Sequence, residues 1–201
     1  MKIIASIFAI SLLMAFAGDK EQMPIGTKAP MTDYEMVDVS GKTYTLNSLA
    51  KKNGLLVIFS CNTCPFVIGW EDQYPMLGTT AERADIGMVL VNSNEAKRPG
   101  DDSMEEMKKQ FEEKGYNTPY VIDENSALAN AFLANTTPHV YLFDGDMKLV
   151  FRGSINDKYE RKDKVATTRW LHDAMMLLAD DKADQIEPKE TKNIGCSIKR
   201  K

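Results

Sequence analysis

Two cysteines two residues apart, Cys61 and Cys64, are the side chains of this 201-residue sequence whose type and spacing most directly imply chemistry. Asn62-Thr63 forms the spacer and Pro65 follows at once. Only the thiolate is a nucleophile, and a cysteine ionises more readily at a helix start, where unpaired N–H groups and the macrodipole favour negative charge. A two-residue spacer lets the second sulfur reach back and close a small disulfide ring. Pro65 suits the first turn of a helix, where its missing N–H has no partner to lose. A zinc knuckle would need a second ligand pair at short range, and the remaining candidates, Cys196, His139 and His172, are not so spaced. A purely structural bridge across so small a loop would gain little chain entropy. Dithiol–disulfide exchange is the leading chemistry.

The flanking elements are those such a pair needs. Residues 55–59 form an unbroken apolar run that reads as a buried strand, and Val67, Trp70, Tyr74 and Leu77 follow the motif at helical spacing. Pro75 is expected to end or bend that helix. Upstream, residues 34–39 and 43–46 flank Ser40-Gly41-Lys42 as a hairpin, and residues 47–49 suggest a short helical turn. Downstream, residues 86–92 read as a second buried strand, followed by a polar loop over residues 93–102. Ser103 and Glu106 make a capping box for a helix that Gly115 stops. A short strand at residues 120–122 and a helix over residues 125–134 precede Thr136-Thr137-Pro138. Residues 139–143 and 148–151 form a closing hairpin around Gly145, and a last helix is expected over residues 163–179. Strands alternating with helices and ending in an antiparallel hairpin imply an α/β sandwich with a mixed central sheet.

Residues 1–17 carry Lys2, an apolar stretch and the small-x-small signal Ala15-Phe16-Ala17, the pattern of a cleavable export signal. An extended lead-in over residues 18–32, one domain over residues 33–180 and a polar tail over residues 181–201 complete the expected organisation. The net charge of −4 speaks against nucleic acid or an anionic membrane as partner. Three cysteines do not make a disulfide scaffold. An exported dithiol protein belongs in an envelope compartment, here read as periplasmic, without stable membrane insertion once the signal is removed. Cys196 reads as a buried thiol of a small apolar tail segment docked on the domain, with no helix start nearby to activate it; a third redox centre is the alternative.

The order of strand, Cys-x-x-Cys, helix and a distant Thr-Pro before a hairpin resembles the thioredoxin fold. More closely, the chain resembles the redoxin group: alkyl-hydroperoxide-reductase/thiol-specific-antioxidant-like proteins, with a Cys-x-x-Cys peroxiredoxin-like subgroup, and the envelope thiol–disulfide oxidoreductases. Residues 61–67, 91–94, Thr137-Pro138 with residues 141–144 and 151–153, and residues 194–199 carry the likeness. It implies a three-layer α/β sandwich, Cys61 as the attacking thiol and Cys64 as the resolving one, cycling through a Cys61–Cys64 disulfide. It also implies a cis Pro138 facing the dithiol, with Thr137 offering backbone hydrogen bonds to a bound peptide. The chain departs from the pattern in three places. The run at residues 55–59 lacks the buried acid of thioredoxins, so no proton relay is assigned. The spacer Asn62-Thr63 has neither Gly-Pro nor histidine, and Thr136 stands where subgroup members often carry a further cysteine.

The expected function is thus an exported thiol–disulfide oxidoreductase, a reductant of disulfide-bearing envelope proteins fed by an upstream thiol donor, with no cofactor and no metal. A thiol peroxidase with an antioxidant role is the alternative from kinship. Peroxiredoxins, however, place Pro seven and Thr or Ser three residues before the reacting cysteine. Those positions hold Gly54 and Ile58 for Cys61, and Val57 and Cys61 for Cys64. A third alternative is a Cu(I)-binding module using Cys61, Cys64 and His139, since thiolates are good Cu(I) ligands.

Overall fold

The computed structural model describes residues 21–201, and the expected export signal lies outside them. The described chain opens with the hairpin β1 (Met36–Val37) and β2 (Thr43–Tyr44), turned through Gly41 at a φ of +83°, which glycine adopts without strain. One helical turn, α1 (Leu46–Leu49), follows, capped reciprocally by Thr45 and Ser48. Then come β3 (Leu55–Ser60), β4 (Gly87–Asn92), β5 (Tyr120–Ile122), the two-residue β6 (Thr136–Thr137), β7 (His139–Phe143), β8 (Leu149–Gly153) and β9 (Cys196–Ser197).

Five of these strands form one sheet in the order β5-β4-β3-β7-β8. The β3, β4 and β5 strands run parallel, while β7 and β8 join antiparallel. Every residue of β3 and β4 is buried, which is why neither shows polar–apolar alternation: both faces of the sheet are covered. The helices α2 (Pro65–Ile68), α3 (Tyr74–Arg83), α4 (Met104–Lys114), α5 (Ala127–Ala131) and α6 (Trp170–Ala179) supply the cover. Leu56, Ile58, Leu90 and Leu142 pack with Leu77 of α3, Met107 of α4 and Leu171 and Met175 of α6. On the opposite face Phe59, Tyr141 and Phe132 meet edge to face, with ring centroids 5.3–5.7 Å apart, beside Leu46 and Leu128. This is the expected three-layer α/β sandwich with a mixed sheet.

Element boundaries depart from expectation where proline and local hydrogen bonds compete with periodicity. The helix after the motif is broken at Gly69 and Trp70, well before Pro75. Pro75 instead lies in the first turn of α3, where a proline costs nothing. Ser103 does cap α4 by accepting from the Glu106 N–H, and Gly115 ends it at a φ of +63°. The helix expected over residues 125–134 is only α5, preceded by a 3₁₀ turn. The last helix begins at Trp170 rather than near residue 163, because Asp157 accepts from the N–H groups of Thr167 and Thr168 and from the Thr167 hydroxyl, holding that segment out of helical form.

Both ends of the described chain are built into the core. Met23 is buried, and Gly26 and Ala29 pair their N–H groups with the Leu149 and Met147 carbonyls. The C-terminal segment buries Ile186 and Ile198, and β9 pairs with β6 so that Thr137 faces Cys196.

Candidate dithiol site

The end of β3 delivers Cys61 and the first turn of α2 delivers Cys64. Cys64 is the N-cap residue, extended at φ −71° and ψ 123°, and Pro65 is the first helical residue. Both thiols are free and buried, 2 % and 4 % exposed. Thr137 joins them across the fold. Its hydroxyl lies 3.1 Å from Cys61 Sγ, and its carbonyl accepts from the Cys64 thiol at 3.1 Å. The Thr137–Pro138 bond is cis. Four residues singled out in the sequence, Cys61, Cys64, Thr137 and Pro138, are thereby brought together.

The two neighbouring thiols differ sharply in acidity. Cys61 is pushed up, first by its hydrogen bond to Cys64 and then by burial. Cys64 is drawn down to about 5, first by that same bond, against burial, and further by the Cys196 thiol and the main-chain N–H groups of Val67 and Cys196. The first proton of the pair therefore leaves easily and the second reluctantly. A helix of one turn carries little macrodipole, and the interaction between the two neighbouring thiols outweighs it.

The spacer is held by a polar network that the sequence did not announce. Asp102, fully buried, accepts from the Asn62 N–H at 2.8 Å, from Asn92 Nδ2 at 2.8 Å and from Asn94 Nδ2 at 3.0 Å. Tyr120 donates to Asn62 Oδ1 at 2.9 Å, and Asn62 Nδ2 reaches the Asp101 carbonyl at 2.8 Å. Asp102 stood in what read as a polar loop, and only the asparagines ending β4 hinted at buried polarity there. Beside the spacer runs an open groove of about 290 Å³, lined by Asn62, Thr63, Ile68, Lys109 and Gln110 among others. Ile68 is 53 % exposed on its rim.

Thr137, expected to offer its backbone to a bound peptide, here gives its carbonyl to Cys64, and its strand is paired with β9. Cys196 was to lie far from any helix start, yet β9 sets it opposite Thr137, whose carbonyl accepts from Cys64 at the start of α2, and it packs against the core cluster that holds Cys64. His139, the histidine of the Cu(I) reading, bonds through Nδ1 to the Tyr141 hydroxyl at 3.1 Å and packs on that ring. Tyr141 belongs to the core on the sheet face opposite Cys61 and Cys64. Among the described residues no three His, Cys, Asp or Glu side chains are grouped to hold a metal ion.

The AhpC/TSA family profile matches residues 25–152. The chain belongs to the AhpC/TSA family. This AhpC/TSA protein is similar to an uncharacterized conserved protein of Geobacillus kaustophilus, 33 % identical with a TM-score of 0.80, over 89 % of this chain and 93 % of that one. It is similar also to a hypothetical protein of Sinorhizobium meliloti, 26 % identical with a TM-score of 0.82, over 90 % and 97 % of the two chains. The thioredoxin domain of a thiol-disulfide oxidoreductase from Bacteroides vulgatus shares the fold, at 18 % identity and a TM-score of 0.58, over 79 % and 99 %. No curated protein matches the chain. Family and fold together place it among the thioredoxin-like oxidoreductases.

Proposed function

We propose that this protein is an exported thiol–disulfide oxidoreductase that reduces disulfides of envelope proteins through Cys61 and Cys64 and is recharged by an upstream thiol donor. The observation that supports this most is the pair of buried thiols, Cys61 and Cys64, two residues apart and both meeting Thr137. Cys61, as the thiolate of the singly ionised pair, attacks one sulfur of the partner disulfide while Cys64 keeps the proton. A Cys61–partner disulfide forms and the other partner sulfur leaves as a thiolate. Cys64 then gives up that proton to a departing partner sulfur and attacks Cys61, forming the Cys61–Cys64 disulfide and freeing the second partner thiol. Two thiols are oxidised and one disulfide is reduced. Ile68 and the groove beside the spacer would provide the surface where a partner docks.

An insulin-reduction assay tests the reading. Wild type should reduce insulin, and Cys61→Ser should be inactive. Cys64→Ser should accumulate mixed disulfides through Cys61, whereas Cys61→Ser should trap almost none; equal trapping overturns the division of labour. A reduction potential near about −270 mV would mark a reductant and one near about −120 mV an oxidant. Kinship keeps peroxide reduction as the second reading. Peroxide consumption faster than insulin reduction would favour it.

A further inference from the structure

The sequence leaves Cys196 as a spare thiol, but the fold brings it to the dithiol by a built route. Asn193 donates through Nδ2 to the Thr136 hydroxyl, and the Ile198 N–H pairs with the Asn135 carbonyl at 3.0 Å. The Lys199 N–H reaches Asn94 Oδ1 at 2.8 Å, and Lys201 Nζ reaches Glu95 at 2.9 Å. Between these anchors Gly195 passes so close to the Thr137 carbonyl that a Cβ there would collide with it. The outcome is a strand that sets Cys196 opposite Thr137, the residue whose carbonyl holds the Cys64 thiol. Cys61 and Cys64 are buried, while Cys196 is partly exposed.

We infer that Cys196 is a third redox thiol of this site, which takes over the disulfide from Cys61–Cys64 as Cys64–Cys196 and presents it to the reducing dithiol. The inference rests on the proposed disulfide-reductase cycle. The Cys196 sulfur attacks Cys64 Sγ: the Cys64–Cys196 bond forms, the Cys61–Cys64 bond breaks, and Cys61 leaves as a thiolate that takes the Cys196 proton. No net oxidation occurs; the disulfide moves by one sulfur. An external dithiol then attacks the accessible Cys196 sulfur, frees Cys64, and closes its own disulfide with its second thiol. The timing is built in. In the reduced state Cys196 is held protonated, at about 11, first by burial and then by its bond to Cys64 and the Cys64 charge. Oxidation of Cys64 removes the last two restraints, so Cys196 becomes reactive only once there is a disulfide to move.

Two experiments with the full chain decide the matter. Cys61→Ser oxidised with diamide should give an intramolecular Cys64–Cys196 disulfide in non-reducing peptide mapping, at a rate independent of protein concentration. If Cys64 and Cys196 are instead recovered only as thiols or intermolecular disulfides, the inference is wrong. In stopped flow, Cys196→Ser should slow re-reduction of the oxidised protein by dithiothreitol at least about fivefold more than it slows oxidation of the reduced protein by a disulfide peptide. Equal effects on the two half-reactions would also overturn it, since a merely structural tail would disturb both alike. Failure of wild type to reduce insulin would sink the proposed function but not the Cys64–Cys196 crosslink, so the two failures are distinguishable.

Discussion

The unequal acidity of the Cys61–Cys64 pair has a direct spectroscopic consequence. Absorbance of the reduced protein at about 240 nm, where thiolates absorb, should show one thiolate forming with a midpoint near 5 and no second one before pH 9. Cys64→Ser should lose the low step. Two thiolates appearing together near the ordinary thiol value of 9.0 would remove the pairing. Stability follows with a definite sign. Cys64 titrates lower in the fold than in the unfolded chain, so its thiolate contributes fully only above that ordinary value, and the contribution is lost as pH falls through 5. Reduced protein should therefore lose stability relative to oxidised protein between pH 7 and 4 in denaturant melts. Asp102 carries a second residue-scale expectation. Asp102→Ala removes the acceptor of three donors, two of them buried and each costing about 1–3 kcal/mol, so a loss of about 2 kcal/mol or more is expected in urea unfolding, with Asp102→Asn milder. A wild-type midpoint for the alanine variant would refute the network's role. Nothing local marks Asp102 in the sequence, because its importance comes from asparagines on a strand and a spacer elsewhere in the chain.

Among the elements, the short pair β6 and β9 does more for the site than its length suggests. It covers Cys64, supplies the Cys196 N–H, and depends on the small size of Gly195. Gly195→Ala should push the tail away, with an overpacking cost of about 1–3 kcal/mol, and should speed alkylation of Cys64 by iodoacetamide. An unaltered alkylation rate would mean that the tail does not cover the thiol. The buried strands β3, β4 and β7 were legible because unbroken apolar runs between turn residues have few other homes. Helix ends were less so. The break at Gly69 and Trp70 and the late start of α6 are set by contacts from distant segments: Tyr159 packs on Trp70, and Asp157 captures Thr167 and Thr168. Pro75 was read as a terminator, though the same missing N–H suits a helix start equally well.

For the whole molecule, the sandwich buries His139 as a neutral imidazole, lowered to about 3, chiefly by burial and secondarily by Arg152. The unfolded chain takes up a proton below the ordinary value of 6.5 while the fold does not, so stability falls as pH drops from there toward 3. Both redox forms should share this loss. His139→Gln should flatten the stability difference between pH 7 and 5, measured by urea midpoints; an unchanged slope would exclude His139 as its source. Taken by itself, the sequence determined the α/β class, the strand that carries the motif, the dithiol and the Thr-Pro step, because each depends on patterns within a few residues: burial runs, turn glycines and the Cys-x-x-Cys spacing. Only the tertiary structure decided which acid holds the spacer and that Cys196 lies beside the dithiol. Those outcomes rest on hydrogen bonds between segments 40 to more than 100 residues apart, such as Asn62 with Asp102 and Lys199 with Asn94, and no local pattern encodes such partners.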